Sequence, residues 1–224
     1  MSMGERWAQP NLLAGYHLEG LNDFSGNGYT LTNLNSVTFT PGKFANAANF
    51  GNPNTNKGLK NDSELGVSIP NSALSMACLL SVAATPASDV YWCIMDWESQ
   101  TGTKGMISIW YHSAAGTPRL EVFTNDLASS IAYVITLTLN VWYHIVVTQT
   151  SGGALSLYLN GSLIGTGSHN VQDPTHSAIS IGYERKSTSY YLSGLVDEVA
   201  IFNKQLSAIE IRKWYAWSKG LFNG

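Results

Sequence analysis

Apolar and polar residues alternate with a period of two along most of the chain, in short runs cut by clusters of glycine, asparagine, serine and proline. In an extended strand successive side chains point to opposite faces, so this period predicts strands half buried against a core. Thirteen runs qualify: LLAGYHL (12–18), YTLTNL (29–34), NAANF (46–50), LSMACLLSVAA (74–84), VYWCIMDW (90–97), GMISIWYH (105–112), RLEVFT (119–124), IAYVITL (131–137), WYHIVVTQT (142–150), ALSLYLNG (154–161), SLIGTG (162–167), AISIGY (178–183) and YLSGLVDEVAIF (191–202). Asn160-Gly161 supplies the positive φ that a tight hairpin needs, and TSGG at 150–153 marks another turn. One helix breaks the pattern after Leu206. Ser207 followed by Glu210 forms a capping box for AIEIRKWYAW, and Gly220 suits its exit. So many short strands and a single helix predict an all-β, two-sheet antiparallel sandwich.

At 224 residues the chain suits one domain. Residues 1–10 read as a lead-in segment and 11–224 as the domain. Only 12% of residues are charged, so solubility falls to serine, threonine, asparagine and glycine, a composition typical of extracellular β proteins. The formal net charge is −3 and no run of like charges occurs, which leaves no electrostatic footprint for nucleic acid or an anionic membrane surface. No apolar stretch approaches a membrane span, and the start carries no signal-peptide core. The chain therefore reads as a domain of a longer exported protein. Cys78 and Cys93 flank a turn-like TPASD; a hairpin there would bring them face to face for a disulfide, and two buried thiols are the alternative.

Four stretches in order, DFSGNGYTL, GKFANAANF, WYHIVVTQTSGGALSLYLNG and LSGLVDEVAIFNKQLSAIEI, carry a family likeness. Together they make the chain resemble the laminin G-like, concanavalin A-like jelly roll over residues 12–216. The segment SMACLLSVAATPASDVYWCIMDW departs from the usual aromatic-rich strand, which puts any inherited ligand contact there in doubt. The resemblance implies a structural calcium where the N-terminal turn meets the last strand, held by Asp23, oxygens near Asn27 and Asp197. An Asx-turn at Asp23 and a hydrogen bond from Asp197 to that turn are the competing reading.

The adjacent Asp197 and Glu198 invite a catalytic reading, but alternation sends neighbouring side chains to opposite faces, so a dyad is not expected. Glu198 is then expected at solvent or a loop. Asp96 and Glu98 do share a side, yet they lack the third carboxylate of the Glu-x-Asp-x-x-Glu pattern of jelly-roll glycosidases. His144 sits with Trp142 and Val146 on one strand face and is expected to be a satisfied sheet histidine. The histidines lack partners at zinc-site spacing.

Neutral sugars are held by aromatic platforms with nearby polar groups. In GMISIWYH the side carrying Ser108, Trp110 and His112 is expected to be wetter than the side carrying Ile107, Ile109 and Tyr111. Trp110, His112, Tyr91 and Trp97 are accordingly the candidate ligand-binding residues. The leading expectation is a non-catalytic extracellular recognition module for a glycan or a cell-surface protein. A polysaccharide-degrading enzyme on the same fold, and a purely structural spacer of a surface or phage fibre protein, are the alternatives.

Overall fold

The computed structural model describes residues 11–51, 56–66, 72–99, 107–124, 128–169, 177–185 and 190–220; the expected lead-in lies outside them. Two antiparallel sheets face each other. The first contains β1 (Leu12–Tyr16), β3 (Thr38–Pro41), β4 (Asn46–Gly51), β6 (Leu74–Val82), β11 (Trp142–Gln149), β12 (Ala154–Leu159), β13 (Ser162–Ser168) and β15 (Gly194–Phe202). Its order is β13-β12-β11-β6-β15-β4-β3, with β1 added to the free edge of β15. The second holds β2 (Thr32–Leu34), β5 (Gly58–Asn61), β7 (Tyr91–Ser99), β8 (Ile107–Ala114), β9 (Thr117–Thr124), β10 (Ala128–Val134) and β14 (Ser177–Ile181), in the order β10-β9-β8-β7-β14-β5-β2. Every run predicted from alternation contains a strand. The pairing adds β3 and β5, each four residues long and too short for a periodic signal.

The inner faces enclose one large core, in which Phe50, Trp92, Trp97, Tyr111, Ile145 and Val196 meet between the sheets. Asn160 and Gly161 both have positive φ at the tip of the β12–β13 hairpin, as the Asn-Gly pair requires. The helix α1 (Ala208–Ser218) opens on the predicted capping box: Glu210 N donates to Ser207 Oγ at 3.3 Å and Ser207 N to Glu210 Oε2 at 2.8 Å. It lays Ile211 on the outer face of the first sheet, against a cluster that includes Ala77, Val146, Ala200 and Phe202.

The expected hairpin around TPASD does not form. β6 and β7 belong to opposite sheets, so this stretch crosses between layers. Cys78 faces the inter-sheet core, Cys93 belongs to a cluster on the far side of the second sheet, and both are buried free thiols.

Candidate functional site

The outer face of the second sheet carries the aromatic site. β8 pairs with β7 and β9 in a register that sets Tyr91 opposite His112, His112 opposite Arg119 and Trp110 opposite Glu121. Alternation then places Trp110 and His112 on one side of β8, beside Arg119, Glu121 and Phe123 of β9. These residues, with Tyr190 from the segment before β15, surround a cavity of about 380 Å³. Tyr91 stacks on His112 with centroids 4.4 Å apart, and Tyr190 meets Trp110 edge-on at 5.2 Å. Trp110 Nε1 donates to Ser108 Oγ at 2.6 Å, which locks the indole as a floor, and His112 Nε2 engages Glu121 Oε2.

Three of the four residues picked from sequence therefore meet around one cavity. The expectation of a wet face is corrected, since Trp110 is 1% and His112 2% exposed. The aromatic cluster of Tyr91, Tyr190 and Phe123 covers them, leaving Tyr91, Tyr190 and Arg119 half-buried at the rim. Trp97 is also corrected. It is fully buried in the inter-sheet core, because the register of β7 slips between Cys93 and Met95. One extra residue reverses every later side chain: Tyr91 faces out, Trp97 faces in, and Asp96 moves to the outer face opposite Ser108. Glu98, the second member of the acidic pair, has its side chain outside the described residues. Arg119, Glu121 and Phe123 were missed, although RLEVFT alternates them on one side; only the pairing register shows which residues they join.

Asp197 and Glu198 break the alternation as well. Two residues of β15, Glu198 and Val199, oppose the single residue Cys78 of β6, and Glu198 takes φ of 50°. The bulge turns both carboxylates toward the layer beneath α1. Asp197 Oδ2 accepts from Lys43 N at 2.9 Å and Phe44 N at 3.0 Å, and the Phe44 ring stacks on Trp217 of the helix at 4.2 Å. Glu198 is bonded by His17 Nδ1 at 3.0 Å and lines a void of about 10 Å³ with Leu79, His144, Trp214, Trp217 and Ser218. Of the two expected settings for Glu198, solvent or a loop, it takes the loop contact through His17, and both carboxylates are buried, at 0% and 2% exposure. Burial raises both; Asp197 is pushed up to about 7. The void beside Glu198 has room for about one water.

His144 lies under the helix in the same place, stacked near Tyr215, with no hydrogen-bond partner for either ring nitrogen. The expected satisfied histidine is instead an orphan, and burial pushes it down to about 4.

The calcium set does not fit this geometry. The Asp23 carboxylate accepts from Gly15 N, Ser25 N, Ser25 Oγ and Tyr29 N at 2.7 to 3.0 Å. Asn27 Nδ2 donates to the carbonyls of Leu12 and Leu13. A carboxylate ringed by donors caps a turn, whereas calcium collects six to eight oxygens. Asp197 serves a different loop, at residues 43 and 44, and not the Asp23 turn. Among the described residues no three histidine, cysteine or acidic side chains are grouped to hold a metal.

Residues 54–212 match the family model described as the concanavalin A-like lectin/glucanases superfamily, of laminin G type. No curated protein matches the sequence. Among solved structures, the chain is similar to domain 4 of an extracellular GH43 arabinanase from Geobacillus stearothermophilus, solved with arabinotriose. The identity is 17%, the TM-score 0.66, and the match covers 91% of this chain and 97% of that one. The binding domain of botulinum neurotoxin serotype G matches at 18% identity and TM-score 0.69, covering 93% of this chain and 51% of the toxin domain. The botulinum neurotoxin DC binding domain in complex with SialylT matches at 13% and 0.67, covering 93% and 52%. The chain thus spans about half of these toxin domains, and likeness at such identity establishes the fold.

Proposed function

The chain belongs to the laminin G-like part of the concanavalin A-like lectin/glucanases superfamily, and we propose that it is a non-catalytic recognition module of an exported protein that holds a glycan on the outer face of its second sheet. One observation carries this reading: Tyr91, Trp110 and Tyr190 meet around one cavity beside the polar groups of His112, Arg119 and Glu121. Aromatic rings take the apolar faces of a sugar and the polar groups its hydroxyls. The arabinotriose held by the similar arabinanase domain supports the ligand class.

The site favours holding over converting. Hydrolysis of a glycosidic bond uses two carboxylates across the scissile bond. Among the described residues this cavity is lined by one, Glu121, and it is engaged by His112. We likewise infer that the N-terminal turn is held by Asp23 without calcium.

A glycan array followed by calorimetry tests the proposal. At least one oligosaccharide is expected to bind saturably. Tyr91→Ala and Tyr190→Ala, both at the rim, are each expected to weaken it about tenfold, or about 1.4 kcal/mol, measured at a temperature where each variant is shown to be folded. A blank array refutes the glycan reading, and release of shortened products would reassign the chain to the enzymes, with Asp96→Ala and Glu98→Ala as the variants to examine.

A further inference from the structure

Arg119 stands at the rim of the aromatic cavity, and among the described residues its side chain makes no hydrogen bond or ion pair. Its Nε is shielded from water and has no partner. His112 Nδ1, lining the same cavity, is also buried without one. Other polar groups there are engaged: Glu121 holds His112 Nε2, and Trp110 Nε1 donates to Ser108. Buried polar atoms are normally paired, so these two enclosed nitrogens leave the cavity wall with unmet polarity, while the outer end of the Arg119 guanidinium remains at the rim.

We propose that the cavity takes a sugar bearing a single carboxylate, a uronate, whose acid group is gripped by Arg119 while its ring lies against Tyr91 and Tyr190, the half-buried rings that cover Trp110. This rests on the glycan reading above and narrows its ligand class. The guanidinium presents a planar fork matched to two carboxylate oxygens, which a hydroxyl cannot fill. A single negative charge suits the site better than a doubly charged phosphate. Among the described residues Arg119 is the one cationic side chain of the rim besides His112, and Glu121, two residues along the same side of β9, disfavours further negative charge.

The test is calorimetric titration of the whole chain with uronate-containing oligosaccharides, namely galacturonan, alginate, glucuronoxylan and hyaluronan fragments, each beside its carboxyl-reduced neutral counterpart. At least one acidic member is expected to bind about tenfold to hundredfold more tightly than its reduced form. Arg119→Gln is expected to bring the two forms to equal affinity, and Arg119→Lys to restore only part of the difference. Equal affinity of acidic and reduced forms for the unaltered chain overturns the proposal and leaves glycan binding standing. So does a sulfated neutral oligosaccharide that binds as tightly as the best uronate. Failure of every sugar, acidic or neutral, removes both readings. The ligand comparison needs no variant, so a misfolded Arg119→Gln cannot mask the result.

Discussion

Replacing Asp197 by asparagine removes a buried negative charge while keeping an oxygen for the amides of Lys43 and Phe44. In the folded chain burial moves this carboxyl from 3.8 up to about 7. Well below 3.8 it is protonated in both states and contributes no pH dependence. Between 3.8 and about 7 the unfolded chain has lost the proton and the folded chain retains it, so stability falls as pH rises; above 7 the full cost is present. At 1.36 kcal/mol per tenfold change the span is worth about 4 kcal/mol, and relaxation of a real interior reduces it to about 2 to 4. Asp197→Asn is therefore expected to match the unaltered chain near pH 4 and to exceed its stability by about 2 to 4 kcal/mol at pH 8. Urea unfolding followed by tryptophan fluorescence at several pH values measures this. Glu198 and His17, both raised, and His144, lowered, remain in both proteins. The difference curve thus isolates Asp197 and its repulsion of Glu198. If Asp197→Asn loses stability at pH 8, the ionised carboxylate gains more from the Lys43 and Phe44 amides than its burial costs, and the reasoning from burial fails.

Chelation is expected to leave the melting temperature within about 1 °C, because Asp23 faces donors; a calcium-dependent rise would refute the turn-cap assignment. Gly182 has φ of 79°, and a Cβ there would lie 2.2 Å from Phe50 Cε1. Gly182→Ala is expected to cost about 2 to 4 kcal/mol in urea unfolding, and a loss below about 1 would show that the Phe50 ring gives way. Ser207→Ala removes half of the capping box and is expected to cost about 1 kcal/mol, read as a small drop in thermal midpoint; no change would mean that packing alone holds α1.

The architecture was legible because its signals are local. A strand run such as WYHIVVTQ declares its period within eight residues, Asn160-Gly161 declares its hairpin, and Ser207 with Glu210 declares the helix start. The short edge strands β3 and β5 have no such signal and exist by pairing with β4, β2 and β14. The site was legible in part. That Trp110 and His112 share a side follows from spacing within β8, whereas their union with Arg119, Glu121 and Tyr190 depends on partners up to eighty residues away in sequence.

Two of the failures, at Trp97 and at the Asp197–Glu198 pair, share one physical source. The period of two assigns faces only while a strand stays regular, and both misplaced side chains lie just beyond a slip of register. The slip at Cys93 to Met95 puts Trp97 in the core and frees the outer face for a cavity built around Trp110. The slip after Asp197, with Glu198 at positive φ, gathers two acids under α1 where regular alternation separates them. Each bulge leaves neighbouring strands paired while re-aiming the side chains that follow, so it changes a site at little cost to the fold. Without the bulge, strict alternation of these same residues from Tyr91 onward would point Trp97 outward and Asp96 into the apolar core. The chain keeps that extra residue, and with it the separation between an apolar interior and an aromatic outer face.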